Sequence, residues 1–196
     1  MILDAAIRVF AQRGFHDTRV SDIAREAGIS HGLVYHYFKS KDDVLICIFR
    51  DRWALFVGMA QALCDEAGPA PQKLGAIVRF LLDSYQVNPA LMKVLLQELV
   101  GSPHFFSRGN IEALDEALAV VEQIIQDGMQ AGEIRTGLDA RIAAQLFYGG
   151  VQQILAVWAW KQLAPDELGD LEELKRTVTD LLLGGLLPRS HRSIGA

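Results

Sequence analysis

Apolar residues recur every three or four positions along almost the whole chain, which is the spacing of helices that bury one face. The alternation of apolar and polar residues that marks strands is almost absent, and glycine and proline clusters separate the periodic segments. The pattern predicts helices that end at Gly14, run from Thr18 or Arg19 to Gly28 and from Ser30 to about 38, and cover about 41–66, 72–87, 89–100, 110–131, 139–163 and 167–186. The sequence therefore predicts an all-α protein of about nine helices.

These helices fall into two groups of different character. Three short helices come first, and a long fourth helix joins them to a bundle. Residues 1–52 carry 8 Lys and Arg against 7 Asp and Glu, and residues 53–196 carry 11 against 17, within a net charge of −5. A nearly neutral head on an acidic body suggests two roles. We expect a head over residues 1–46, a body over 47–187 and a flexible tail over 188–196.

Composition removes several classes of protein from consideration. Hydrophobic residues make up 51% of the 196 positions, which indicates a packed globular chain and not a disordered one. The longest apolar run, "QILAVWAW", is too short to cross a bilayer, and no signal-peptide pattern is present, so we expect a soluble, cytoplasmic protein. Cys47 and Cys64 lack the spacing of metal ligands, and small buried hydrophobes are favoured over a disulfide or a redox sensor.

Residues 19–38 have the spacing of a helix-turn-helix motif. Gly28 can adopt the positive φ that ends one helix and turns the chain, and Ile29 can fill the angle between the two helices. Ser30 is a good N-cap for the second helix. The second helix of such a pair is the one that enters the DNA major groove.

The second helix of the motif needs few residues for burial. At 100° per residue, Val34 and Phe38 share one face and, with Ile29, can anchor the helix. The other positions suit DNA: a glycine admits the backbone, hydroxyls and an ammonium suit phosphates, and imidazoles and a leucine suit base edges. We expect DNA contacts from Thr18, Ser30, His31, Gly32, Leu33, Tyr35, His36, Tyr37 and Lys41. For any one of them, simple packing or solvation stays the alternative. His31 and His36 are five residues apart and do not share a helix face, so no metal site is expected.

Residues 2–45, "ILDAAIRVFAQRGFHDTRVSDIAREAGISHGLVYHYFKSKDDVL", resemble the DNA-binding head of the TetR family of bacterial transcriptional repressors. The resemblance lies in "F…GF…T…V.DIA..AGIS.G..Y.YF..K.." and in the spacing of its parts. It implies phosphate contact or close approach at Thr18, Ser30, Gly32, Tyr35, Tyr37 and Lys41, and base contact at His31, Leu33 and His36.

The family resemblance also implies an effector pocket in the body. The body helices are apolar nearly all round, and their aromatic and methionine residues are either plain core or pocket lining. We expect a mostly hydrophobic pocket lined by Phe56, Met59, Phe80, Tyr85, Met92, Leu96, Phe105, Phe106, Tyr148 and Gln152, with Gln97 and His104 as further polar candidates. Arg79, Arg108 and Arg135 could meet an anion but are better explained as surface residues.

The last two helices are too apolar to be isolated surface helices, and the resemblance implies that they form a four-helix dimer interface. We expect a homodimer through Ala144, Phe147, Val151, Leu155, Trp158, Leu181, Leu182 and Leu186. Trp158 and Trp160 lie about 200° apart on their helix, so only one of them can face the subunit core.

The C-terminal half, "AGEIRTGLDARIAAQLFYGGVQQILAVWAW" with the ending "DLLLGGLL", resembles family members that sense fatty acids or acyl-CoA. We expect a repressor that binds a palindromic operator as a dimer. A small hydrophobic effector, such as a fatty acyl-CoA or fatty acid, would tilt helix 41–66 and release the operator. The alternatives are the same fold sensing a lipophilic drug or aromatic compound, and a helical interaction protein without DNA binding. No nucleophile set or phosphate loop is present, so we do not expect an enzyme.

Overall fold

The structure, a computed structural model, describes residues 1–101 and 108–187. These residues form nine α-helices and one 3-10 turn and contain no strand, so the predicted all-α class is confirmed. The helices are α1 (Ile2–Arg13), α2 (Val20–Ala27), α3 (His31–Tyr37), α4 (Lys41–Asp65), α5 (Ala70–Val87), α6 (Pro89–Gly101), α7 (Arg108–Gln130), α8 (Ala140–Lys161) and α9 (Leu171–Gly184).

Serine and aspartate side chains cap the N-termini of several helices. The Ser30 hydroxyl accepts a hydrogen bond from the Leu33 amide (3.3 Å) at the start of α3, and the Ser40 hydroxyl accepts one from the Asp43 amide (3.1 Å) at the start of α4. Asp170 accepts from two amides in the first turn of α9. These amides have no partner inside the helix, so a nearby polar side chain is enough to fix where each helix starts.

The last helix begins later than the periodicity predicts. The segment expected to be helical from residue 167 first makes a 3-10 turn at Pro165–Leu168, and Gly169 then takes a φ of 71°. Such a φ interrupts a right-handed helix, and glycine is the residue that adopts it at least cost. α9 therefore starts at Leu171, behind its Asp170 cap.

The head is built from α1–α3 and the first turns of α4, and α6 completes its core. Leu91 and Val94 of α6 are buried in the same cluster as Phe10, Ile23 and Ile48. The apolar core of the head is thus continuous with an element of the body.

The body packs α4–α9 around a second, larger core. A buried lysine, Lys175 of α9, joins α9 to α5 through an ion pair with Asp83 and also binds Glu172 (2.6 Å). Burial alone would lower the pKa of Lys175, but the hydrogen bonds and charges of the two acids outweigh burial and raise the pKa. Lys175 therefore stays charged inside the bundle, held by its two partners.

Two smaller findings complete the fold. Cys47 and Cys64 are free and half-buried, and burial raises the pKa of both thiols, which is the opposite of what a reactive cysteine needs. Within residues 1–101 and 108–187, no helix is both long and apolar enough to cross a membrane.

Candidate DNA-binding surface and effector cavity

The turn of the helix-turn-helix motif has the geometry that its sequence predicts. Gly28 adopts a left-handed conformation (φ 67°, ψ 29°), and the Ile29 amide donates to the Ala24 carbonyl (3.0 Å). Val34 is fully buried, with Ile29 and Phe38 partly buried against the same cluster. The predicted anchor of α3 is therefore present, and it fixes which face of α3 points outward.

The outward face of α3 carries most of the predicted DNA-binding side chains. His31, Gly32, Leu33, Tyr35, His36 and Tyr37 are all exposed. The rings of His31 and Tyr35 meet edge to face with centroids 4.9 Å apart. A Cβ added at Gly32 would contact nothing within 4 Å, so packing inside the subunit does not require a glycine there. Ser30, which caps the helix by accepting a hydrogen bond, still has its hydroxyl hydrogen to donate.

Thr18 differs from its predicted role. Its side chain is buried, and its hydroxyl donates to the Gly14 carbonyl (2.7 Å). This hydrogen bond closes the loop between α1 and α2. The hydroxyl is therefore a structural group of the head and is not presented to a phosphate.

Lys41 is half-buried, and its side chain is turned onto the α1–α2 loop of the head. Its ammonium donates to the carbonyls of Phe15 (2.7 Å), His16 (2.9 Å) and Thr18 (3.1 Å). It also sits 4.5 Å from the centroid of the Phe15 ring. An ammonium has three hydrogens, and here each has a backbone carbonyl. Lys41 thus pins the α1–α2 loop to the start of α4, which the sequence did not predict.

Two exposed cations beside the motif, Arg19 and Lys39, are not among the predicted DNA contacts. Asp22 binds the guanidinium groups of Arg13 and Arg25, and its pKa lies below the usual value chiefly because the Arg19 amide donates to it (3.0 Å). The side chains of Arg19 and Lys39, in contrast, are exposed and have no ion pair among the described residues. Arg19 immediately precedes α2 and Lys39 follows α3, and these positions beside the motif could have identified them.

A cavity of about 400 Å³ lies in the body between α4, α5, α6 and α8. Its volume falls within the range of small-molecule sites, and its walls are mainly apolar. Of the predicted pocket residues, Phe56, Phe80, Met92, Leu96, Tyr148 and Gln152 line it. The sequence did not predict the contributions of Phe49, Arg52, Trp53, Leu55, Val87 and Asn88.

Two predicted pocket residues lie elsewhere. Met59 packs against the body core and does not line the cavity. Tyr85 is buried, its ring meets Trp158 edge to face at 5.3 Å, and its hydroxyl donates to the Leu163 carbonyl (2.9 Å). Tyr85 therefore ties α5 to the end of α8. Phe105, Phe106 and His104, and the side chain of Gln97, lie outside the described residues.

The polar groups of the cavity are few. Burial among apolar groups raises the pKa of Tyr148, so its phenol is neutral at physiological pH. That phenol has no hydrogen-bond partner among the described residues and lies beside Trp53 and Phe56, with ring centroids 6.0 and 6.1 Å away. The Ser84 hydroxyl donates its hydrogen to the Leu81 carbonyl (2.6 Å) and therefore has none left to donate to a ligand.

The predicted dimer residues mostly point into their own subunit. Ala144, Phe147, Val151, Leu155, Trp158 and Leu186 are buried in it, which contradicts an exposed interface role for these six side chains. Leu182 is half-buried against Gly150, where an added Cβ would lie 2.8 Å from a Leu182 methyl carbon. Leu181 is exposed, so Leu181 and part of Leu182 are accessible to a partner. The opposite face of α8 is the open one, and it carries Ile142, Leu146, Gly149 and Trp160.

The chain matches two family models that together span both parts of the fold. Residues 2–47 match the bacterial regulatory proteins of the tetR family, and residues 49–185 match the C-terminal region of the YsiA-like protein. The fatty acid metabolism regulator protein of Bacillus subtilis (strain 168) is 33% identical over 187 residues, which cover 94% of this chain and 93% of that protein.

Solved structures agree with the sequence matches. The transcriptional regulator FadR from Bacillus subtilis, in complex with stearoyl-CoA, has a TM-score of 0.83 and 32% identity and covers 94% of this chain and 97% of its own. The fatty acid degradation regulator FadR from Bacillus halodurans has a TM-score of 0.82, with the same identity and coverage. The chain belongs to the TetR family of bacterial transcriptional regulators.

Proposed function

We propose that this chain is a dimeric repressor that binds a palindromic operator and is released from it by a fatty acyl-CoA or a fatty acid. The observation that carries the proposal is the apolar cavity in the body, one wall of which, α6, also completes the core of the head. A ligand that changes the position of α6 would change the head as well.

The DNA contacts are assigned to the exposed face of α3 and its flanks. Base contact falls to His31, Leu33 and His36, and close approach to Gly32. Phosphate contact falls to the side chains of Ser30, Tyr35, Tyr37, Arg19 and Lys39. Because two heads are needed to hold a palindrome, the half-sites should lie about one helical turn, or a multiple of it, apart.

The effector class is supported by the chemistry of the cavity and by the relatives. A cavity with mainly apolar walls and few polar groups suits an aliphatic chain. A relative of about one-third identity has been crystallised with stearoyl-CoA, and another is described as a regulator of fatty acid degradation. The cavity also has five aromatic rings in its walls, at Phe49, Trp53, Phe56, Phe80 and Tyr148, which would suit a planar lipophilic compound.

Release of a labelled operator tests this proposal. Duplexes from the DNA flanking the gene are first screened by fluorescence anisotropy for a palindrome whose affinity falls steeply with salt. Stearoyl-CoA, stearate, CoA alone and triclosan are then titrated into the complex. We expect release by an acyl ligand and none by CoA. Release by triclosan alone would select the lipophilic-drug alternative, and absence of any salt-sensitive DNA binding would refute the repressor.

A further inference from the structure

Arg52 lines two cavities at once. On one side of α4 it borders the effector cavity, and on the other it borders a second cavity of about 500 Å³ that lies between α4, the start of α1 and the end of α3. Arg52 is half-buried. It therefore borders the effector cavity on the side that faces the head.

The charges around the effector cavity do not cancel. Arg52 and Asp83 are the charged residues among its described lining. Asp83 is paired with the buried ammonium of Lys175, so its charge is offset from behind the cavity wall. Arg52 has no ion pair and no hydrogen bond among the described residues, and the carboxylate whose pKa its charge helps to lower, Asp4, lies in the second cavity. A positive charge without a close partner therefore borders a mainly apolar space.

The walls of the cavity give the bound molecule a direction. One turn of α4 beyond Arg52, the Phe56 ring stacks on Phe80 with centroids 6.3 Å apart, and Tyr148 lies against Phe56. The cationic group is thus on the head side of the cavity, where Phe49 and Leu91 also line it, and the stacked aromatic pair lies farther along α4. A molecule with an anionic group at one end and an aliphatic chain at the other matches this polarity.

We propose that Arg52 binds the anionic group of the effector and makes the cavity selective for charged acyl molecules over neutral ones of the same length. This inference rests on the proposed function, because it concerns the same cavity. A guanidinium can donate two parallel hydrogen bonds to a carboxylate or a phosphate, and such charge-assisted bonds are strongest where water is partly excluded. The carboxylate of a free fatty acid and the phosphates of a CoA thioester share this chemistry.

The test compares ligands of equal chain length. Stearate, stearoyl-CoA and the neutral octadecanol, each delivered from cyclodextrin, are titrated while the tryptophan fluorescence of the protein is followed, to which Trp53 in the cavity wall contributes. CoA alone is the chain-free reference. Arg52→Gln removes the charge, Arg52→Lys keeps the charge without the planar fork, and Arg50→Gln, at an exposed neighbour that lines neither cavity, is the matched control.

We expect Arg52→Gln to weaken the anionic ligand by about tenfold to a hundredfold, the range of charge-assisted hydrogen bonds, and to leave octadecanol unchanged. Unchanged octadecanol binding also shows that the variant is folded. Arg52→Lys should retain part of the preference, and Arg50→Gln all of it. If Arg52→Gln lowers the affinity for stearate alone, the group bound by Arg52 is the carboxylate. If it lowers the affinity for stearoyl-CoA alone, the group is a phosphate.

Equal changes for charged and neutral ligands, or no change for either, would overturn the role of Arg52. This failure can be told apart from failure of the proposed function. If acyl ligands release the operator without any preference for charge, only the inference about Arg52 fails. If no acyl ligand binds the wild-type protein or releases the operator, the proposed effector class fails as well.

Discussion

At the scale of single residues, the head has two kinds of side chain: those that stabilise the motif and those that are exposed on its surface. Lys41 and Thr18 face inward and bind backbone carbonyls of the α1–α2 loop. Gly32 and Tyr35 face outward and contribute nothing to the core. Substitutions in the first group should therefore change stability, and substitutions in the second should change DNA affinity.

Gly32→Ala should stabilise the protein slightly and weaken operator binding. Alanine is favoured over glycine in a helix by roughly 0.5–1 kcal/mol, and the added methyl meets no atom of the subunit. If the DNA backbone approaches α3 at this position, the same methyl must push it away. Thermal unfolding and operator anisotropy measure the two effects.

Gly58→Ala is the matched control for this substitution. Gly58 is exposed in the middle of α4, and an added Cβ there also meets nothing within 4 Å. It should give a similar gain in the free energy of unfolding without any change in operator affinity. If Gly32→Ala bound the operator as tightly as Gly58→Ala does, close approach at Gly32 would be wrong.

Lys41→Met should destabilise the head without changing how DNA affinity depends on salt. Three carbonyls lose a charged donor, and a cost of about 1–3 kcal/mol is expected. The slope of log affinity against log salt should stay the same, because the ammonium is not at a phosphate. Lys39→Met should do the reverse, leaving stability unchanged and lowering the slope by about 0.9. A reduced slope for Lys41→Met would restore the phosphate contact that the sequence predicted.

At the scale of elements, α6 is the helix that the head and the effector cavity share. Leu91 and Val94 are buried in the core of the head, while Met92 and Leu96 line the cavity. Lys93, between them, donates to the Ala11 carbonyl (2.8 Å) near the end of α1. The last carbonyls of a helix lack intrahelical partners, and a cation there is favoured by the helix dipole.

Lys93→Met should weaken the effect of the effector on operator affinity. The substitution keeps most of the length of the side chain and removes its bond to the end of α1, together with a longer one (3.4 Å) to Gln162 after α8. We expect a smaller shift in operator affinity at saturating stearoyl-CoA, with little change in effector affinity measured without DNA. Coupling between two sites is the ratio of operator affinities with and without effector, and anisotropy titrations give it directly.

Lys73→Met provides a control of the same chemistry inside the body. Its ammonium donates to the Cys64 carbonyl (2.7 Å), linking α5 to α4 away from the head. Loss of this hydrogen bond should lower the free energy of unfolding about as much as Lys93→Met does. It should leave the effect of the effector on operator affinity unchanged. Equal coupling in the two variants would show that the Lys93 contact plays no part in transmission.

At the scale of the whole molecule, the outer face of α8 and α9 is too apolar for a free surface. Leu146 is 70% exposed and Leu181 75% exposed, and Ile142 lies one turn before Leu146. Gly149, also exposed, would let a second helix come close. Contiguous apolar surface of this kind marks an interaction site, and a second copy of the chain is the partner that the family fold implies.

The double substitution Leu146→Glu and Leu181→Glu should convert the proposed dimer to a monomer. Four carboxylates would be brought together in the interface without partners, while each subunit keeps its own core. Light scattering after gel filtration should report half the mass, and operator affinity should fall because one head holds only one half-site. Ala119→Glu, which adds a charge on an exposed face of α7, should stay dimeric. A dimeric double variant would place the interface elsewhere.

Much of the helical framework and of the helix-turn-helix motif could be predicted from sequence because its determinants are local. Ser30 and Ser40 cap their helices by accepting hydrogen bonds from amides three residues later. Gly28 adopts the left-handed conformation of the turn, which a glycine favours wherever it lies in the fold. The anchor residue Val34 follows from helical geometry alone. The sequence also required that Trp158 and Trp160 face different surroundings, and in the structure Trp158 is buried and Trp160 exposed.

Only the tertiary structure decided which surroundings each residue has when both sides of a helix are apolar. α8 has apolar residues on opposite faces, so periodicity could not say that Leu155 points inward and Leu146 outward. The partners of Lys41 lie 23 to 26 residues earlier in the chain, and Asp83 meets Lys175 from another helix. Arg52 likewise gains its place between two cavities from helices distant in sequence. Local pattern fixes where a helix starts and ends, but contacts between helices fix what each side chain touches.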